Sequence, residues 1–243
     1  MRLNRIYYPK TLTLNDNISL EKDIYHYIIK VLRMKINYTL ILFNGNNIDY
    51  YVKITEIHKN TLQVHIFEEK TLSTYSQLDI HLGQVIAKGN KMDWIIQKST
   101  ELGINSFTPL LSSRCDVKIT PDKYEKKREQ WQKQAQSASE QCHRGTIPII
   151  NPIQTIEHWF NTPTDAQKLL LHPRNGKTLK ATLSDNKKLL LLVGPEGGLT
   201  DKEIYTAIAH HFQTITLGNR VLRTETASLA MISALHAYIG DFQ

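Results

Sequence analysis

The chain is predicted to be an α/β protein built on a parallel sheet, with a small β-barrel domain ahead of it. Three observations carry that prediction. Leu189-Leu190-Leu191-Leu192-Val193 is a strand-length apolar run without alternation, as a strand buried on both faces requires. It leads through Gly194-Pro195-Glu196-Gly197-Gly198 to Thr200 and Glu203, a capping box that starts a helix, and a second strand, loop and helix follow. The first part of the chain instead alternates and turns roughly every ten residues, the pattern of a small barrel.

In chain order, a short helix near Asp23 to Leu32 comes first, then a strand ending at Tyr38-Thr39-Leu40-Ile41-Leu42-Phe43. Asn44-Gly45-Asn46-Asn47 turns the chain into a strand over Ile48 to Ile57, and Lys59-Asn60 turns it again into the alternating Leu62 to Phe67. Ser73-Thr74-Tyr75-Ser76-Gln77 is polar and reads as a linker, dividing the chain into domains 1–72 and 73–243. The α/β pattern opens with a strand over Asp79 to Ala87. Met92, Ile95, Ile96, Ser99 and Leu102 share one face of the next helix, which Gly103 ends.

A strand over Ser106 to Leu111 follows. Thr120 as N-cap and Pro121 as first helical residue then open a long helix to about His143. Tyr124, Trp131, Ala135, Ala138 and Cys142 form its apolar stripe. Lys123, Lys126, Lys127, Arg128 and Lys133 lie on the other face, which suits solvent and RNA alike. Lys168 to His172 is a further strand. After the capping box, Ile204, Ala207, Ile208 and Phe212 recur at helical period, and Thr214 to Leu217 is a short strand. The last helix, roughly Thr226 to Ile239, puts Ala227, Met231, Ala234, Leu235 and Tyr238 on one stripe.

Charge narrows the class of partner. Lys and Arg number 30 against 23 Asp and Glu, a formal +7 with a pI near 9.2, which favours a polyanion such as nucleic acid. No apolar run approaches the ~20 residues of a membrane span, and the charged amino terminus lacks the apolar core of a signal peptide. Cys115 and Cys142 form neither a metal-spaced pair nor a disulfide framework, and the ten histidines include no H-E-x-x-H. The expectation is a cytoplasmic protein with no membrane and no metal.

Loops at the carboxyl ends of adjacent parallel strands are where open α/β sheets bind ligands, although tight turns alone would also use glycine. Gly194 to Gly198 is not G-x-G-x-x-G, and no Gly-Lys-Ser/Thr follows, so neither the dinucleotide fingerprint nor the P-loop fits. Pro195 removes a backbone donor and Glu196 would repel a phosphate. The loop suits a ligand that is not strongly anionic.

GPEGGLT at 194–200 and LGNRVLRTETA at 217–227 resemble the two signature loops of the bacterial 16S rRNA uracil-N3 methyltransferases. That family belongs to the SPOUT superfamily of S-adenosylmethionine-dependent, trefoil-knotted RNA methyltransferases. Met1-Arg2-Leu3-Asn4-Arg5-Ile6-Tyr7 resembles the family's opening, Arg33-Met34 after Val31-Leu32 resembles its VLRM element, and Lys91 to Gly103 resembles its first catalytic-domain helix. The resemblance spans the whole chain. It departs at Asn219, where the family usually has proline. Asparagine tolerates unusual backbone angles, so this loop is expected to keep its shape with less rigidity.

The resemblance implies a PUA-like RNA-binding barrel over 1–72 and a knotted, dimerising methyltransferase domain over 73–243. It implies S-adenosylmethionine as cofactor, held by Leu171, His172 and Pro173, by Gly194, Glu196, Gly197 and Gly198, and by Leu217, Gly218, Val221 and Leu222. The implied partners are 16S rRNA within the small ribosomal subunit and a second copy of the chain. Arg2, Arg5, Arg33, Lys91, Arg114 and Arg220 are the expected RNA contacts, with Tyr7, Tyr8, Tyr25 and Tyr27 near several of them for stacking.

Methyl transfer from a sulfonium requires alignment and exclusion of water more than covalent help. Uracil N3 carries a proton, so a base or a cation that stabilises the uracil anion is required. Arg223 is expected as the cation and Glu225 as the carboxylate; the plain alternative is an ion pair opening a helix. Glu101 is a weaker base candidate. Two other functions compete: a catalytically silent RNA-binding protein of this fold, and a SPOUT methyltransferase with another RNA target. The glycines present in both loops argue against the first.

Overall fold

The computed structural model describes residues 3–73, 76–174 and 176–242, so Arg2 and, in the expected linker, Thr74 and Tyr75 lie outside the described residues. The chain forms two compact units, residues 1–75 with 139–146, and residues 76–138 with 147–243.

In the first unit, β1 (Arg5–Tyr7), β2 (Asn17–Glu21), β3 (Thr39–Phe43), β4 (Ile48–Ile57) and β5 (Thr61–Thr71) make one sheet in the order β1-β3-β4-β5-β2. β1 runs parallel to β3, and the other pairs are antiparallel. The register of β4 against β5 shifts at Tyr51/Val52 and at Ile54/Glu56. Such bulges sharpen strand twist, and the sheet curls into a half-barrel. Alternation selects what it encloses: Leu40 and Leu42, Val52 and Ile54, and Leu62, Val64 and Ile66 fill the interior with Leu20 and Ile28. The expected first helix is α1 (Lys22–His26) followed by a π-helical turn, Tyr27–Val31.

Arg5 is buried here, not facing solvent. Its guanidinium pairs with Asp49 at 2.8 Å, donates to the Ser139 carbonyl at 3.1 Å and lies 3.5 Å above the Phe43 ring. With the side chain 1% exposed, it cannot meet an RNA phosphate, which corrects the sequence expectation. Tyr8 and Tyr25 are likewise core residues, and the Tyr25 hydroxyl donates to the His58 carbonyl.

The second unit is built on β6 (Asp79–Val85), β7 (Ser106–Leu111), β8 (Ile149–Ile150), β10 (Gln167–Leu171), β11 (Lys188–Val193) and β12 (Gln213–Ile215), in the order β12-β10-β11-β6-β7-β8. β9 (Gln154–Thr155) also pairs with β7, and every pairing is parallel. The β11 run is buried on both faces, as its composition requires. Leu189, Leu191 and Val193 join the core formed with Ile95 and Ile96 of α2 (Lys91–Glu101), Trp131 and Ala135 of α3 (Tyr124–Gln141), and Met231 and Leu235 of α7 (Thr224–Ile239). Leu190 and Leu192 join the opposite core, with Trp159 and Phe160 of α4 (Ile156–Phe160) and Ala207 of α6 (Asp201–Ala209). A short α5 (Leu179–Thr182) lies between β10 and β11.

Two helix starts differ from expectation. Thr120 makes no side-chain cap bond, and Pro121–Lys123 is a 3-10 turn before α3 begins at Tyr124. α7 begins at Thr224, two residues early, because Arg223 takes the extended conformation of the N-cap.

Candidate functional site

β10, β11 and β12 are neighbours, and the loops leaving their carboxyl ends converge on one cavity of about 590 Å³. Its walls include Leu171, His172 and Pro173 after β10, Gly194 to Leu199 after β11, and Leu217, Arg220, Val221, Leu222 and Arg223 after β12. The volume falls within the range of small-molecule sites, about 300–1,000 Å³.

Each loop is fixed by identifiable bonds. The loop after β11 closes with Gly198 N–H donating to the Pro195 carbonyl at 2.9 Å. It then enters α6 through the capping box: Thr200 N–H donates to Glu203 Oε2 at 2.7 Å, and Glu203 N–H donates to Thr200 Oγ1 at 3.2 Å. Glu203 is buried and its Oε1 accepts from Ser113 N–H at 2.8 Å. Burial pushes that carboxyl up, but the backbone donors of Ser113 and Thr200 outweigh it and hold Glu203 below the usual range. In the β10 loop, His172 N–H donates to the Ile215 carbonyl at 2.9 Å, and Thr216 Oγ1 donates to the His172 carbonyl at 3.0 Å.

Gly198 and Gly218 have φ of +70° and +71°, and a Cβ on either would meet open space. The left-handed backbone thus requires glycine even where there is room for a side chain. Gly218 is not among the residues facing the cavity; every other expected cofactor contact is.

The charged side chains sort differently from the sequence expectation. Arg223 and Arg220 are exposed and line the cavity. Glu225 does not line it; its Oε2 lies 3.4 Å from Lys91 Nζ, which does. Lys91 also pairs with Glu196 Oε1 at 2.9 Å, an oxygen that accepts from Lys88 N–H at 3.1 Å. Burial pushes Glu196 up, but the Lys91 hydrogen bond and backbone amides hold its carboxyl below the usual range. Arg114 Nη1 donates to the carbonyls of Gly197 and Leu199, each at 3.3 Å. Lys91 and Arg114, expected on RNA, therefore stand in the cavity wall bracing the first loop. Arg33 is exposed on the first unit. Glu101 pairs with Lys98 at 2.7 Å and does not face the cavity.

One anchor was missed by sequence reasoning. Thr224 Oγ1 donates to the Gly194 carbonyl at 2.6 Å and accepts from the buried Gln84 Nε2 at 2.9 Å. Gln84 Oε1 in turn accepts from Ser228 Oγ. This chain ties the start of α7 to the β11 loop across β6. The available signal was a polar glutamine inside the apolar strand Asp79–Val85.

The wall chemistry fits a nucleoside. Apolar Leu170, Val193, Ile204, Ile215 and Leu222 offer surface to an adenine, the glycine backbone permits close approach, and the only acidic side chain in the wall among the described residues is Glu196. Among the described residues no three His, Cys, Asp or Glu side chains are placed to hold a metal ion, and no helix is long and apolar enough to cross a membrane.

Comparison with known proteins places this geometry. A family model described as an RNA methyltransferase domain matches residues 74–236, and one described as an RNA methyltransferase PUA domain matches residues 20–67. The chain is 40% identical over 241 residues to the ribosomal RNA small subunit methyltransferase E of Buchnera aphidicola subsp. Schizaphis graminum, covering 99% of this chain and 98% of that protein. The Bacillus subtilis protein of the same name is 30% identical over 219 residues, 86% of each. The crystal structure of the Neisseria gonorrhoeae enzyme of that name, bound to S-adenosyl methionine, superposes with a TM-score of 0.93 at 34% identity over all of both chains. A Legionella pneumophila methyltransferase in complex with the same cofactor superposes at 0.94 with 37% identity, again over all of both chains. The chain belongs to the ribosomal RNA small subunit methyltransferase E family, a SPOUT methyltransferase fold joined to a PUA domain.

Proposed function

We propose that this protein transfers a methyl group from S-adenosylmethionine to N3 of a uridine in 16S rRNA of the small ribosomal subunit. The observation that carries the reading is the convergence of three loops from neighbouring parallel strands on one largely apolar cavity, with Glu196 in its wall. Leu171, His172 and Pro173, Gly194, Glu196, Gly197 and Gly198, and Leu217, Val221 and Leu222 would hold the cofactor, with Gly218 shaping the last loop; the cofactor when bound supplies an activated methyl group. The protein's part is to orient the base, exclude water and manage the N3 proton. Arg223, exposed at the cavity wall, would face the charge that develops on uracil. Glu225, behind Lys91, is the carboxylate assigned to the proton.

Residues 1–72 are assigned to RNA binding and 73–243 to the knotted methyltransferase domain, acting as a cytoplasmic homodimer without metal. Arg33 and Arg220 remain as RNA contacts; Arg5 does not. The retained glycines of both loops weigh against a silent RNA-binding protein.

Calorimetric titration with S-adenosylmethionine tests the site. Wild type should bind and Gly198→Arg should not, since its backbone is left-handed and its side chain is long. A folded wild type that releases no heat, even with small subunits present, would return the protein to the RNA-binding reading. Primer extension on rRNA from a deletion strain tests the target, where a modification stop should disappear.

A further inference from the structure

Lys91 is an odd residue to open a helix. It is the first residue of α2, where the helix macrodipole disfavours a cation, and it is no free phosphate ligand, because two carboxylates hold it. Its ammonium lies 2.9 Å from Glu196 in the β11 loop and 3.4 Å from Glu225 in the first turn of α7. Glu225 Oε2 is buried and takes no hydrogen bond, so this ion pair is what the structure offers it. The Lys91 side chain is only 29% exposed and forms part of the cavity wall.

The two carboxylates come from the β11 loop and from the first turn of α7, the two segments that must shape the cavity together. They carry like charge, and no contact between them is seen among the described residues. One ammonium bridges both and offsets one of their two charges. The remaining supports differ in kind: Arg114 braces the β11 loop through its own carbonyls, and Thr224 ties α7 to Gly194 at the far end of that loop. Neither reaches the Glu196 carboxylate; the Lys88 N–H does, but it ties Glu196 to the segment before α2 and not to α7.

We propose that Lys91 is a positioning residue that clamps the β11 loop to the start of α7, so that the two halves of the cavity become ordered as one. The Glu196 hydrogen bond holds the Lys91 ammonium above its ordinary value, so the clamp stays charged at neutral pH. A partly exposed ion pair contributes little to global stability; its effect is on the coupling of the β11 loop to the start of α7. The consequence for cofactor affinity rests on the methyltransferase reading, whereas the clamp itself does not.

The test uses the full-length protein with Lys91→Met, Lys91→Arg and Glu196→Gln. Hydrogen exchange of the cofactor-free protein reads the clamp directly. In Lys91→Met, amides over 194–199 and 220–225 should both exchange faster, by about tenfold for a coupling of ordinary size. Lys91→Arg should restore both segments, and Glu196→Gln should loosen the same two if Lys91→Met fails to fold. Unchanged exchange, or a rise confined to one loop, overturns the clamp. Calorimetry with S-adenosylmethionine then reads its use: the Kd of Lys91→Met should weaken about tenfold, with Lys91→Arg close to wild type. Wild type that binds no cofactor would sink the methyltransferase reading while the exchange data still decide the clamp.

Discussion

The Arg5 guanidinium sits in the first unit with Asp49 as its buried counter-ion. Truncation in Arg5→Met leaves that carboxylate unpaired away from water, which costs about 3–5 kcal/mol. Urea denaturation should show a lower midpoint, while protein kept folded at low temperature should bind RNA as wild type does. Glu203 is the corresponding residue of the site. Glu203→Ala removes an acceptor from both Thr200 and Ser113, costing about 2 kcal/mol. Because the folded state holds this carboxyl below its unfolded value, its contribution is complete above the ordinary carboxylate range. It is lost as pH falls through the folded value, so the gap between wild type and Glu203→Ala should narrow in acid. The two residues differ in legibility. Thr200 and Glu203 are three apart, so a local pattern announces the bond. Arg5 and Asp49 meet across two strands, and nothing in the sequence near Arg5 marks it as buried.

At the level of elements, the start of α7 matters most, because it carries Arg223 and Glu225 past the cavity. Thr224→Val keeps the shape but strips the hydroxyl from between Gln84 and the Gly194 carbonyl. It should cost about 1–3 kcal/mol and weaken S-adenosylmethionine binding in calorimetry, since the loop after β11 loses its tie. β6 has its own signature in pH. Burial lowers the His81 pKa from 6.5 to about 4, and the ring packs edge-on against Trp159 with Thr108 on its Nε2. The unfolded chain takes up that proton below pH 6.5 and the fold does not. The His81 contribution is therefore intact above 6.5 and is lost between about 6.5 and 4, amounting to no more than about 3 kcal/mol. The difference in urea stability between wild type and His81→Gln should shift over that window. β11, α6, α2 and α7 were readable because they are long or strongly periodic. β1, β8 and β9 have two or three residues each and take their existence from parallel partners far along the chain. The capping box and the glycine loops located the site, whereas the Gln84 anchor and the Lys91 bridge depend on which strand lies beside which.

For the whole molecule, the net charge of +7 sets how the two ligands should differ in their response to salt. An RNA partner releases counterions as Lys and Arg neutralise its phosphates, so log K should fall linearly with log salt. Four to six such contacts on single-stranded RNA give a slope of about −3 to −4. Arg33, Arg220 and the exposed lysines of the α3 face, Lys123, Lys126 and Lys133, are the cations available for it. S-adenosylmethionine carries little net charge and enters an apolar cavity, so its affinity should hardly move over the same salt range. Filter binding of small-subunit rRNA from low to moderate salt, beside calorimetry of the cofactor in the same buffers, measures both. Exchanging Lys123, Lys126 and Lys133 together for glutamine should flatten the RNA slope by about 2 and leave cofactor binding unchanged. A slope that survives this triple exchange would take the RNA contacts off α3 and leave them to other cations, Arg33 in the first unit and Arg220 in the second among them.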